Sequence, residues 1–277
     1  MSDLDLGGKT IVMSGGSRGI GLAIALRAAR DGANVTLIAK TAEPHPRLEG
    51  TIYTAAEEIE RAGGRALPFV GDVRDDAVVV DAVERTVDRF GGVDIVVNNA
   101  SAIDVSPSSS IAMKRYDLMQ DVNTRATFLL SRTCVGYLQE ASNPHVLTLS
   151  PPLSLDPHWY GAHLPYTLAK FGMSMCTLGM AAEHADAGIA FNSLWPRTII
   201  ATAAVRNLLG GEAAIARSRR PEIVADAAHH ILTRPARETT GNFFIDDEVL
   251  ADAGVTDLGA YAYSPDAELQ VDLFLDG

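Results

Sequence analysis

Cysteine is scarce: Cys134 and Cys176 are the two in 277 residues. Both fall inside helical patterns and lack metal-ligand spacing, so buried free thiols in a reducing compartment are expected rather than a disulfide. Hydrophobic runs are short. None approaches the roughly 20 apolar residues that a membrane-crossing helix needs, and no charged-then-apolar leader opens the chain. Positive charge is outweighed, with 23 Lys and Arg against 35 Asp and Glu. The resulting net charge of −12 argues against nucleic acid or an anionic membrane as the main partner. Internal repeats and low-complexity linkers are also missing. Hydrophobic content of 47% with 21% charge is that of an ordinary soluble globule able to bury a sizeable core. One domain over 1–277 and a cytoplasmic location are expected.

What is present is an alternation of short apolar runs with amphipathic helical stretches. Lys9–Met13 reads as a strand and runs into Ser14-Gly15-Gly16-Ser17-Arg18-Gly19-Ile20-Gly21. A helix follows, with Leu22, Ala25, Leu26 and Ala29 on its inner face, ending at Gly32. Strand, glycine-rich turn and helix together are the context of a dinucleotide site. Gly15 allows the tight turn, Gly19 lets backbone approach a pyrophosphate, and Gly21 allows the helix to pack closely on the strand. A plain strand-to-helix turn is the competing reading.

The second strand, Asn34–Ala39, ends at Lys40, where an acidic residue would hold the 2′-hydroxyl of an NAD ribose. A lysine there attracts a 2′-phosphate instead, and Arg18 can reach the same group. The pair points to NADP(H) over NAD(H), unless both side chains are simply solvated. Thr41–Thr51, with Pro44, His45, Pro46 and Gly50, is a loop that either folds over the adenosine end of a cofactor or is a plain insertion. Helix Ile52–Ala62 and strand Arg65–Val70 follow, then Gly71-Asp72-Val73. Asp72 stands where an adenine amino group could be met, with helix capping as its other role. The next helix runs to Phe90 and stops at Gly91-Gly92. Strand Val93–Val97 ends in Asn98-Asn99-Ala100-Ser101, whose amides can hold neighbouring loops.

A long helix is expected from about Lys114 to Ala141, with Asn123 in its middle, either exposed or kinking the helix and holding a water. Strand His145–Ser150 ends in Ser150-Pro151-Pro152. The helix that follows carries Tyr166 and Lys170, four residues apart and so on one face, and runs to about His184. The ammonium is expected to lower the tyrosine pKa and make the phenol usable as an acid or base. Gly172, Ser174, Gly179, Ala181 and Ala182 suggest close helix packing, including packing between subunits. Strand Ile189–Trp195 stops at Pro196. A substrate loop at about 198–220, helix Pro221–Leu232 and strand Gly241–Ile245 precede an acidic, irregular tail at about 247–277.

The whole pattern is an α/β fold: a Rossmann-type, doubly wound parallel sheet of about seven strands with helices on both faces. With Ser14–Gly21, Asn98-Asn99-Ala100, Asn123, Tyr166-x-x-x-Lys170 and Pro196 in order, the chain resembles the short-chain dehydrogenase/reductase family over its whole length. It is closest to the hydroxysteroid-dehydrogenase-like type-two branch. Ala39-Lys40-Thr41-Ala42-Glu43-Pro44-His45-Pro46, Ser150-Pro151-Pro152-Leu153 and Tyr166–Met175 carry that likeness. Members of the branch in animals carry a sterol-carrier domain after the reductase part, so a stand-alone bacterial relative is expected here.

The resemblance implies that Tyr166 exchanges a proton with the substrate oxygen, Lys170 binds the nicotinamide ribose, and Asn123 holds a relay water. It further implies contacts to the nucleotide from Gly15, Ser17, Arg18, Gly19, Ile20, Gly21, Lys40, Asp72, Val73, Asn99, Ala100, Pro196, Thr198 and Thr202. Two departures stand out. The family's second strand-end serine is replaced by Pro151, so Ser150 or Ser154 would take its role, with Ser150 preferred. Arg197 stands where glycine is common, either contacting phosphate or lying at the surface.

An apolar substrate pocket is expected between Leu153–Leu164 and Thr198–Gly211, made by Trp159, Tyr160, Leu164, Trp195, Leu208 and Leu209. His158 and His163 are its candidate polar contacts. The implied activity is NADP(H)-dependent interconversion of a carbonyl and a secondary alcohol on a hydrophobic substrate, with lipid- and steroid-like molecules as candidates, by a homodimer or homotetramer. An NADP(H) sensor or scaffold with little turnover is the alternative. An enoyl reductase usually needs a different tyrosine–lysine spacing.

Overall fold

The structure, a computed structural model, describes residues 5–45 and 48–276, so Pro46 of the expected loop lies outside the described residues. Seven strands form one parallel sheet: β1 Thr10–Ser14, β2 Asn34–Ala39, β3 Arg65–Val70, β4 Ile95–Asn98, β5 His145–Thr148, β6 Ala190–Trp195 and β7 Phe243–Ile245. Their spatial order is β3-β2-β1-β4-β5-β6-β7. The order reverses between β1 and β4, where Ser14 pairs with Asn98. A crevice opens at that point beyond the carboxyl ends of the strands.

The side-chain period of two decides which helices cover which face. Ile11, Met13, Val35, Leu37, Val97 and Leu147 point to one side, where α1 (Gly19–Arg30), α2 (Ile52–Arg61), α9 (Glu222–Leu232) and α10 (Asp246–Asp252) bury their apolar stripes. Val12, Ile38, Val96, Val146 and Phe191 point to the other, under α3 (Asp76–Phe90), α5 (Ala126–Leu138) and α6 (Pro157–Glu183). Three shorter helices complete the set: α4 (Met113–Met119), α7 (Ala203–Leu208) and α8 (Gly211–Ala216). Strand interiors such as Ile11, Val12 and Met13 are fully buried, which is why these runs read as continuously apolar.

Local chemistry sets several boundaries. Thr51 and Thr54 exchange side-chain and backbone hydrogen bonds at the start of α2. Asp75, and not Asp72, caps α3, accepting from Ala77 N at 2.9 Å. Asp156 caps α6 through His158 N, with Pro157 in the first turn.

Four expectations change. The helix expected over 114–141 is interrupted by a π-helical turn, Gln120–Arg125, which widens the backbone around the buried Asn123 and splits the segment into α4 and α5. Helix α6 starts early, at Pro157, and breaks at His163 (φ −145°, ψ 46°), two residues before Pro165, whose ring offers no N–H to the preceding turn and crowds its carbonyl. On α1, Ile24, Ala25, Ala28 and Ala29 are fully buried, while Leu22 and Leu26 pack half-buried against the same core and also line the crevice. The acidic tail is ordered: α10 packs on α9, and Val271 bridges back to Thr198. Gly172 does serve close packing, but within the chain. A Cβ there would lie 2.4 Å from Thr124 Oγ1 of the π-helical turn, whereas a Cβ at Gly179 would meet nothing within 4 Å.

Candidate active site

A cavity of about 1360 Å³ occupies the crevice. Lys40 and Asp72 stand at one end, Tyr166 and Lys170 at the other, and the glycine turn lies between them. Gly15 (φ +75°) and Gly19 (φ +58°) both adopt the left-handed conformation that favours glycine. Ser17, Arg18, Ile20, Asn99 and Ala100 line the same stretch, and Val73, Pro196 and Thr202 complete its walls. No side chain caps the amino end of α1, which leaves its first-turn amides directed at the cavity.

The turn is held from β4. The Ser14 hydroxyl accepts from Asn99 N at 3.2 Å and Ala100 N at 3.1 Å, while Asn99 Nδ2 donates to Gly15 O at 2.7 Å. Gly21 does not line the cavity; a Cβ there would sit 2.5 Å from Asn99 Nδ2. The space it leaves is filled by this asparagine clamp. Arg18 donates to Glu49 O and Gly50 O, both at 3.0 Å, and so ties the 41–51 loop to the glycine turn. Lys40 lies 3.3 Å from Asp72, whose second partner is Arg74 at 2.7 Å. These cations hold the Asp72 carboxyl far below its usual range, Arg74 more than Lys40. Thr202 caps α7 through Val205 N and sets its methyl against Gly19.

At the opposite end both Tyr166 and Lys170 are buried. Lys170 Nζ donates to Leu149 O at 2.9 Å and lies 5.1 Å from the centre of the Trp195 ring. Burial pushes Lys170 down to about 7, opposed by the charge of Asp272. Burial also drives the Tyr166 phenol well above its ordinary value, as does Asp272, against one favourable hydrogen bond from the Ser101 side chain. The lowering of the tyrosine pKa by its lysine neighbour is therefore not what the chain's own groups produce. Depth in the fold outweighs the i, i+4 pairing.

Several expected residues stand elsewhere. Ser150 is fully buried and absent from the cavity wall; its hydroxyl bonds Ser193 Oγ at 2.9 Å, and Ser193 donates on to Thr177. Ser154 is no substitute, since it caps the Asp156 turn. Asn123 joins both ends of its amide to Ala102, accepting from N at 2.7 Å and donating to O at 3.1 Å, so its side chain positions the loop after β4. Thr198 is buried and paired through its backbone with Val271, off the cavity. Arg197 pairs with Asp247 and Glu248. Of the expected pocket, Trp195, Leu208 and Leu209 line the cavity, joined by Ile103, Leu118 and Val122. Trp159, Tyr160, Leu164, His158 and His163 do not line it. The ring of Phe274, from the C-terminal segment, packs at 5.8 Å from Trp159, 5.9 Å from Tyr166 and 5.2 Å from Phe171, which leaves that region closed.

Two site residues escape a reading of the sequence: Ser101 and Asp272. The first had a signal, its place directly after Asn98-Asn99-Ala100 at the strand end. The second had none. Among the described residues no group of three or more His, Cys, Asp or Glu is arranged to hold a metal, and no helix is long and apolar enough to cross a membrane. Both cysteines are free thiols; Cys134 is buried and Cys176 half-buried.

Known proteins agree with this geometry. A family model described as short chain dehydrogenase matches residues 9–212. The chain is 54% identical over 271 residues to hydroxysteroid dehydrogenase-like protein 2 of Xenopus laevis, covering 98% of this chain and 64% of that protein. The chain thus spans under two thirds of that curated relative. A dehydrogenase structure from Xanthomonas campestris superposes with a TM-score of 0.96 at 56% identity, over 99% of this chain and 100% of the other. A short chain dehydrogenase of Mycobacterium thermoresistibile gives 0.93 at 57%, over 98% and 96%. With its parallel sheet, glycine turn and tyrosine–lysine pair in one crevice, the chain belongs to the short-chain dehydrogenase family.

Proposed function

We propose that this protein is an NADP(H)-dependent oxidoreductase that interconverts a carbonyl and a secondary alcohol on a hydrophobic substrate. Family membership supports the coarser part, an oxidoreductase of the hydroxyl–carbonyl class whose fold holds a nicotinamide nucleotide. The observation that carries the finer reading is one cavity with Lys40 at one end and Tyr166 beside Lys170 at the other. The residues present fit such a nucleotide. The uncapped amino end of α1 offers amides to its phosphates, Lys40 offers charge to a 2′-phosphate, and Lys170 stands at the nicotinamide end.

When bound, the nucleotide supplies or accepts the hydride. The protein's part is the proton. Tyr166 gives it to the substrate oxygen in reduction and takes it back in oxidation, with the Ser101 hydroxyl beside the phenol oxygen. Ser101 replaces Ser150 in this reading. Ile103, Leu118, Val122, Trp195, Leu208 and Leu209 make the substrate end apolar. A steroid- or lipid-like alcohol or ketone suits such walls, and the relatives' name, hydroxysteroid dehydrogenase-like protein 2, points the same way.

Self-association belongs to the same reading. Leu168, Met175 and Leu178 recur along one face of α6 and are exposed, as is Phe128 on α5. A homodimer or homotetramer would cover them.

A sensor with little turnover is favoured by one observation, the turning of Ser150 into the interior. The same experiment separates the two. Apolar ketones are offered with NADPH, and cofactor oxidation is followed by absorbance. Turnover that drops at least 100-fold in Tyr166→Phe supports the enzyme, in keeping with the roughly 10²–10⁴-fold worth of general acid catalysis. NADPH binding without turnover across a broad panel of ketones and alcohols supports the sensor.

A further inference from the structure

The C-terminal segment reaches the reaction site on a fixed track. Ile199 N donates to Gln270 O and Asp272 N to Arg197 O, both at 3.0 Å, while Val271 pairs antiparallel with Thr198. Trp195 Nε1 donates to Leu273 O at 2.9 Å, which delivers the next residue beside the tyrosine–lysine pair. That residue, Phe274, is buried and holds φ at +71°, the one positive φ outside glycine among the described residues. A bulky residue keeps that conformation only where its surroundings fix it. Four rings do so here: Phe171 at 5.2 Å, Trp159 at 5.8 Å, Tyr166 at 5.9 Å and Trp195 at 6.0 Å.

Two of these rings, Tyr166 and Trp195, line the cavity, and the other two do not. Phe274 is therefore a partition, with open cavity on one side and packed α6 on the other. On the open side Ile103, Leu118, Val122, Leu208 and Leu209 surround apolar room. On the closed side Tyr160 packs on Phe171 at 5.5 Å, and its hydroxyl donates to Ser154 O at 2.8 Å, so the wall behind the partition is itself tied down. A close-packed aromatic cluster of this kind has no spare volume for ligand atoms.

We infer that Phe274 is a specificity-determining residue, its ring closing one side of the space at Tyr166 so that the reacting carbon must carry one small substituent and one long apolar one. The inference rests on the oxidoreductase reading and narrows its substrate class to open-chain methyl ketones and the matching secondary alcohols. A carbonyl carbon whose oxygen meets Tyr166 has two substituents, which diverge from it. One runs along the apolar walls; the other faces the partition. Ketones with bulk on both sides of the carbonyl, fused-ring ketones among them, are disfavoured. A single methylene that a hydrophobic pocket does not accommodate is worth roughly 10- to 200-fold in discrimination.

The test compares two isomers, methyl heptyl ketone and dibutyl ketone. Their apolar surfaces are nearly equal, so transfer from water favours neither, and they differ only in how carbon is shared between the two sides of the carbonyl. Binding is read by the fluorescence of Trp159 and Trp195, the two tryptophans of the chain, which flank the Phe274 ring. It is measured on nucleotide-free protein and again with NADP+, which has no hydride to give. The wild type should bind methyl heptyl ketone at least about tenfold more tightly, and kcat/KM with NADPH should show the same preference. Phe274→Gly removes the ring and leaves a residue suited to positive φ. There dibutyl ketone should gain about tenfold or more, and the preference should largely vanish. General loosening of the site would instead weaken both ketones alike and preserve their ratio. Equal affinities in the wild type, binding of neither ketone, or an unchanged ratio in Phe274→Gly overturns the inference. Should the glycine variant not fold, Phe274→Leu should show a reduced preference, and the wild-type comparison decides without any variant. Isomer preference in binding with no turnover of either ketone would sink the oxidoreductase reading and leave the partition standing. Turnover without preference would do the reverse.

Discussion

Replacing Lys40 by aspartate tests the cofactor reading at its most exposed point. The Lys40 side chain is 60% exposed and shares Asp72 with Arg74, so its ion pair contributes well under 1 kcal/mol to stability. Asp72 keeps Arg74 in the variant, and the fold should be indifferent. The effect on binding is larger. In water, two unit charges about 4 Å apart interact by roughly 1 kcal/mol. A doubly charged 2′-phosphate beside one lysine therefore gains about 2 kcal/mol, less when salt screens it. Reversing the sign turns that gain into a repulsion of similar size, so Lys40→Asp should weaken NADPH by roughly 2–4 kcal/mol, about 30- to 1000-fold. NADH, which has no such phosphate, should change by about threefold or less. Trp195 lines the cavity and gives an intrinsic fluorescence signal for the titration. The NADPH effect should also shrink as salt is raised from about 0.05 to 0.5 M. Equal weakening of NADPH and NADH, or none of NADPH, would refute the 2′-phosphate site. No binding of either nucleotide would remove the oxidoreductase and sensor readings together.

Gly21→Ala places a Cβ 2.5 Å from Asn99 Nδ2 and 2.8 Å from Gly15 O, expelling the amide that holds the glycine turn. Losing its bonds to Ser14 O and Gly15 O should cost about 1–3 kcal/mol in urea unfolding and weaken nucleotide binding, and an unmoved midpoint would contradict the clamp. Ser150→Ala removes a buried hydroxyl that pairs with Ser193, so stability should drop by about 1 kcal/mol while kcat stays within about threefold; a collapse of kcat would return Ser150 to the reaction. His145 is buried, and its pKa is lowered to about 4 by burial, against a hydrogen bond with Arg234 O. The unfolded chain therefore takes up a proton near pH 6.5 that the native chain refuses until about pH 4, and stability falls as pH drops through that window by up to about 3 kcal/mol. His145→Gln should flatten the acid limb of the stability curve, and an unchanged limb would assign it to other groups.

The residues legible beforehand are those whose role is set within a few positions along the chain. The β1 turn with Gly15 and Gly19 follows from backbone conformations that favour glycine, and the placement of Tyr166 and Lys170 on one face follows from helical periodicity. Strands such as Thr10–Ser14 are covered on both faces, so their apolar runs announce them. Lys40 sits at a strand end fixed by the same arithmetic.

Tertiary structure alone decided what each strand-end or loop side chain finally meets. Ser150 turns inward because β6 offers Ser193 beside it, and Asn123 reaches Ala102 because a π-helical turn rotates it there. The tyrosine's protonation is governed by burial, a property of depth rather than of its neighbour one turn away. Asp272 and Phe274 carry no periodicity at all. Their segment is held by single bonds to Arg197, Ile199 and Trp195, partners far off in sequence, and only closure of the fold brings that acid and that ring to the catalytic pair.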